Sequence, residues 1–194
     1  IETRATTTRD ELLNSRSVVA DLLSNPQFNI NQRGSAGYAV TNGVVYGPDR
    51  WRMGTGTGQT AEFWSSFFGS PSAVWKIPTQ GAIGTAAYLE QRIEMGYRGH
   101  GSVLDDRTIT VFISNDSWLD VEKMRVDVVQ GLGTGAGDPD VVTEGPIVML
   151  NDGTRKKTVT IDVPNAWGYS LGAVADRFLA VRLVRESGWG GGDV

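Results

Sequence analysis

The sequence predicts an all-β protein, an antiparallel β-sandwich with a short N-terminal helical arm, and three observations predict it. Apolar and polar residues alternate with a period of two in segment after segment beyond residue 27, as a strand with one buried face requires. Gly-rich connections separate those segments, and 25 Gly and 7 Pro are more than long helices would tolerate. No helical periodicity intervenes between them, so the strands are expected to pair antiparallel and pack as two sheets. At 194 residues a single domain of this kind buries a full core unaided, and the division expected is an arm over 1–24 and a sandwich over 25–194.

The arm comes first. Thr8 and Glu11 form a T-x-x-E capping box that satisfies exposed N–H groups at a helix start. Leu12, Val19, Leu22 and Leu23 then fall on one face, and Asn25-Pro26 ends the helix because proline removes a donor and forces its predecessor out of α geometry. The stripe is short for a coiled coil, which favours a packing arm, with a trimer-forming stalk as the alternative. The chain opens on Ile1 rather than Met and is read as processed from, or part of, a longer polypeptide.

Strand-like segments follow at 28–31, 73–77, 86–94, 107–114, 123–130, 157–163 and 177–185, for about seven or eight strands in all. Ile109, Val111 and Ile113 share a face, as do Val126, Val128 and Gln130, and Val159, Ile161 and Val163. In the last segment Phe178, Ala180, Arg182 and Val184 are read as the corresponding set. Residues 54–58, 69–72, 96–102 and 131–139 are read as loops, and Asn151-Asp152-Gly153 as a tight turn.

Charge and composition exclude several functions. A net charge of −4 offers no footprint for nucleic acid, whose phosphates call for clustered Lys and Arg. The absence of Cys removes disulfides, thiolate metal sites and a Cys nucleophile. No apolar run approaches the ~20 residues that span a bilayer, so no membrane insertion is expected.

Chemistry-bearing motifs are few. Gly131-Leu132-Gly133-Thr134-Gly135-Ala136 matches the start of a dinucleotide fingerprint, but Gly137-Asp138-Pro139-Asp140 cannot open the helix on which that motif depends. His100 is the only His, no G-x-S-x-G elbow accompanies it, and a site of several imidazoles is excluded. Asp105, Asp106, Asp116, Asp120, Asp138 and Asp140 are the acids that a glycosidase pair would draw on. Asn115-Asp116-Ser117-Trp118-Leu119-Asp120 is the densest oxygen-rich loop. It leaves calcium open while lacking EF-hand spacing, and solvated turn residues are the favoured reading. The expectation is therefore a non-enzyme with no cofactor and no metal site beyond that open calcium question.

Six Trp carry more weight. Trp51 and Trp75 lie in or beside apolar stretches and are expected in the core, whereas Trp64, Trp118, Trp167 and Trp189 lie among Ser, Asn, Asp and Gly. An exposed ring beside hydrogen-bonding groups is what a sugar requires. Trp64, Tyr97, His100, Trp118 and Trp167 are the candidate ligand-binding residues.

Asn25-Pro26-Gln27-Phe28-Asn29-Ile30-Asn31-Gln32-Arg33-Gly34, followed by Tyr38 and Asp49-Arg50-Trp51, resembles a pattern in tail-fibre, head-fibre and related virion proteins of tailed bacteriophages. Weaker matches follow in order at Leu89-Glu90-Gln91-Arg92-Ile93-Glu94, at 108–114, at Val129-Gln130-Gly131-Leu132-Gly133 and at 158–164, so the resemblance spans 25–185. It implies a jelly roll similar to carbohydrate-binding modules, displayed on a virion in the extracellular medium. Such a domain either contacts host-surface glycans or builds the particle, and other virion proteins would be met through residues 1–24. A homo-oligomer, favoured as a trimer, is expected. Asn25, Phe28, Gln32, Arg33, Asp49, Arg50 and Trp51 are implied to be structural, with Asp49 and Arg50 pairing beside a buried Trp51. The chain departs from the pattern after its last strand, where only 186–194 remain, ending in Gly190-Gly191-Gly192 before Asp193 and Val194. Rival readings are a purely structural virion protein and a polysaccharide depolymerase.

Overall fold

The alternating segments form strands in a computed structural model, which describes residues 38–46, 50–65, 73–79, 86–94, 104–114, 122–150 and 156–186. Among these residues the strands are β1 (Tyr38–Thr41), β2 (Val44–Tyr46), β3 (Trp51–Thr55), β4 (Thr60–Ser65), β5 (Ala73–Thr79), β6 (Ala86–Glu94), β7 (Arg107–Ser114), β8 (Glu122–Gly131), β9 (Val141–Leu150), β10 (Lys156–Val163) and β11 (Phe178–Glu186). One 3-10 turn, Val174–Asp176, is the sole helical element among them. The expected helix over 8–24, the strand over 28–31 and the residues Asn25, Phe28, Gln32, Arg33 and Asp49 lie outside the described residues.

Every pairing is antiparallel, and three sheets result: β2-β3-β6-β11-β8-β9, β1-β4-β5 and β10-β7. Alternation decides how they meet. The β7–β10 pair turns Ile109, Val111, Val159, Ile161 and Val163 toward Ile93 of β6, Val126 and Val128 of β8, and Leu179 and Val181 of β11. A second core joins Val40 of β1 and Ala61 of β4 to Trp51 and Met53 of β3 and to Ala87 and Leu89 of β6. Both smaller sheets thus contribute to cores with the odd-numbered face of β6. Trp51 is buried, as expected, while Arg50 is exposed in a left-handed conformation (φ 69°). The Trp75 side chain lies outside the described residues.

The face assigned to β11 is corrected. Leu179 and Val181 enter the core, and Phe178, Ala180, Arg182 and Val184 line the opposite side of the sheet. β11 lies between β6 and β8, where both of its faces are covered well enough to carry apolar residues, so alternation alone does not choose between them. The loop expected at 54–58 is shorter than predicted, because Gly54 and Thr55 belong to β3.

β9 ends the six-stranded sheet among the described residues, and its register against β8 shifts between Arg125 and Asp127, opposite Gly145-Pro146. A Cβ on Gly145 would run into the Val126 carbonyl oxygen and sit 2.9 Å from Ile161 Cδ1. The bulge therefore depends on glycine here.

Candidate functional site: the Trp167 shelf

Pro164 closes β10, and the chain then crosses to β11 through a long irregular stretch. Ala166 is fully buried and donates its N–H to the carbonyl of Leu104, itself fully buried, at 2.8 Å. With Ala166 plugged inward, Asn165 and Trp167 project outward. The Asn165 backbone N–H donates to Asp106 Oδ1 at 2.6 Å, and its amide reaches both Asp106 oxygens at 3.3 and 3.4 Å. Trp167 Nε1 donates to Asp105 Oδ1 at 3.1 Å, which fixes an indole that is 58% exposed. Tyr169, nearly half exposed, follows one turn later.

The far end of the loop is tied down as firmly. Ser170 N–H donates to Asp138 Oδ2 at 2.6 Å, and Leu132 N–H donates to Asp140 Oδ1 at 3.0 Å. Gly172 and Ala173 donate to the Leu132 and Thr134 carbonyls, both at 2.9 Å. A Cβ on Gly133 or Gly172 would collide with the backbone of the other segment. The glycines that imitate a dinucleotide fingerprint thus serve close backbone packing, and no helix follows them.

Beside Trp167 lies a shallow cleft of about 430 Å³ lined by Asp106, Arg107, Thr108, Asp162, Val163 and Pro164. Thr108 Oγ1 donates to Asp162 Oδ1 at 2.7 Å, and Arg107 Nε donates to the Asp105 carbonyl at 3.3 Å. Burial pushes the Arg107 guanidinium below its ordinary range, with Asp105 acting the other way. An exposed indole, held rigid and flanked by carboxylate, amide, hydroxyl and guanidinium groups, can stack on the apolar face of a sugar while hydroxyls meet the polar rim.

Of the residues expected to bind ligand, Trp167 alone is placed in full. Trp64 stands in β4 opposite Val74, its side chain outside the described residues, as are Tyr97, His100 and Trp118. Asp105, Asp106, Asp138 and Asp140 each accept hydrogen bonds from loop groups, which accounts for them as loop anchors. Among the described residues no group of three or more His, Cys, Asp or Glu could hold a metal ion, and the calcium-candidate loop over 115–120 lies outside them. No described helix is long and apolar enough to cross a membrane.

Sequence reasoning missed a second constellation, on the side of the six-stranded sheet opposite the cores. Arg52, Glu90, Arg182, Asp127 and Glu144 stand in register across β3, β6, β11, β8 and β9. Glu90, fully buried, accepts from Arg52 Nε at 2.6 Å and from Arg52 Nη2, from Arg182 Nε and Nη2 at 2.9 and 2.6 Å, and from Arg92 Nε at 3.3 Å. Arg125 bridges Asp127 at 2.7 and 3.0 Å and Glu144 at 3.0 Å. Charges at alternate positions of 86–94 and 178–186 were the available signal, but only pairing between strands 92 residues apart turns them into a ladder.

No family model, curated protein or solved structure matches this chain.

Proposed function

We propose that the chain is a bacteriophage virion domain, from a fibre or head decoration, that binds host-surface glycans without catalysis. Its fold is a carbohydrate-binding-module-like jelly-roll sandwich, attached to the particle through a helical arm over 1–24 and displayed outside the cell. The observation that carries the binding reading is Trp167: an indole 58% exposed yet locked by Asp105 is costly to leave in water unless something stacks on it. The two small sheets that share cores with one face of the large sheet support the sandwich, and the virion assignment rests on the motif between Asn25 and Trp51. The non-catalytic reading is supported by the acids around the shelf, which hold loop amides. Trimerisation through the arm would multiply weak single-site binding.

A glycan array probed with the 194-residue chain and with Trp167→Ala tests this. Retained glycans that disappear with the variant support the reading. Equal binding by both proteins, or none by either, refutes it, and shortened polysaccharide chains after incubation would indicate a depolymerase instead.

A purely structural virion role is favoured by one separate observation. Phe112 is 75% exposed on the outer side of the β7–β10 pair, an apolar surface suited to a neighbouring virion chain. That reading predicts that Phe112→Ser abolishes particle incorporation while Trp167→Ala does not.

A further inference from the structure

We propose that the outer face of the six-stranded sheet, at Arg52, Arg92 and Arg182, binds an acidic polysaccharide through its carboxylate or sulfate groups. The imbalance of charge comes first. On the β8–β9 side a single guanidinium, Arg125, serves two carboxylates, Asp127 and Glu144. Around Glu90 the ratio is reversed, with three guanidiniums on one carboxylate, leaving a surplus of two positive charges (3 − 1) in a chain of net charge −4.

The donors are uneven too. A carboxylate offers about four lone-pair sites, and Glu90 already receives five nitrogens from the three arginines. Among the described residues no partner engages Nη1 of Arg52, Nη1 of Arg182 or either Nη of Arg92. Arg92 is the most accessible of the three, with its side chain 41% exposed against 14% and 22% for Arg52 and Arg182.

Two glycine–aromatic pairs hold these donors in place. Tyr88 lies across Gly54 of the neighbouring strand and Phe178 across Gly131, each in direct register and so close that a Cβ on either glycine would strike the ring. Arg182 stacks on Tyr88 at 4.3 Å from the ring centre, and Arg92 on Phe178 at 3.6 Å. The guanidiniums are therefore oriented before any ligand arrives, which lowers the entropic cost of engaging a planar anion. They stand on three adjacent strands, β3, β6 and β11, and so run about 10 Å across the sheet. One small anion does not span that distance, whereas a chain carrying an acid on successive sugars does.

The test is calorimetric titration of the 194-residue chain with a galacturonate oligomer, monomeric galacturonate, inorganic phosphate and neutral dextran, at low and raised salt. Arg92→Gln is the main variant, because Glu90 keeps Arg52 and Arg182 and circular dichroism can verify an unchanged fold. The oligomer is expected to bind in a salt-sensitive manner, dextran not at all, and Arg92→Gln to weaken the oligomer about tenfold, as loss of one charge-assisted contact implies. Trp167→Ala should leave oligomer binding unchanged, which separates this face from the shelf. Unaltered affinity in Arg92→Gln, absence of oligomer binding, or phosphate or the monomer binding as tightly as the oligomer would each overturn the proposal.

Discussion

Substituting Glu90→Gln keeps the shape of the side chain and removes the one anion that faces three guanidiniums. The position is fully buried, so the loss is that of breaking a buried ion pair from one side, about 3–5 kcal/mol. Water reaches part of Arg52 and Arg182, whose side chains are 14% and 22% exposed, so the lower end, about 3 kcal/mol, is expected. In a chain of this size roughly 2–4 °C of Tm accompanies each kcal/mol, which predicts a fall of about 6–12 °C. Thermal and urea unfolding followed by circular dichroism measure it, and added salt should narrow the gap by screening the remaining cations. The triple variant Arg52→Met, Glu90→Met, Arg182→Met should be less destabilised than Glu90→Gln, because no unpaired ion pair partner stays buried among those three. A loss below about 1 kcal/mol for Glu90→Gln, or a triple variant that is worse, would refute the view that pairing and not mere packing holds this face.

Other substitutions probe the rest of the fold. Gly145→Ala should cost about 2 kcal/mol or more in urea unfolding, since the obstructing atom is the Val126 carbonyl oxygen, which cannot swing aside. Met53→Ala empties a site that is 1% exposed in the second core and should cost about 2–5 kcal/mol by the same measurement. Asp106→Ala removes the acceptor of the Asn165 N–H and should cost about 1 kcal/mol, with increased amide exchange at Asn165 as the local readout.

The strands most legible in the sequence were those with uninterrupted alternation. The bounds read for 86–94 and 107–114 coincide with β6 and β7, and those for β8, β10 and β11 agree within a residue. The strands that went unread have identifiable reasons. β1 and β2 are too short to show a period, β3 runs into glycine at Gly54, and β9 is interrupted by Gly145-Pro146. β11 was found but turned inside out, because Phe178, Ala180 and Val184 are as apolar as the set that enters the core. At the site, Trp167 was legible from its polar neighbourhood, whereas its partner Asp105 was not, since 62 residues separate them and only the meeting of β7 with β10 brings them together. The arginine ladder was hidden for the same reason.

The Gly145-Pro146 bulge has a meaning for how such a chain behaves in numbers. A terminal strand of ten residues with Val142, Ile147 and Met149 partly in water is a template on which another copy could extend the sheet without limit. Pro146 withholds one donor from that edge, and the register shift twists the strand off the straight line that an incoming chain would need. The irregularity in β9 thus works as a guard on colloidal stability: it lets many copies stand side by side at high local concentration without fusing through their backbones into an amyloid-like ribbon.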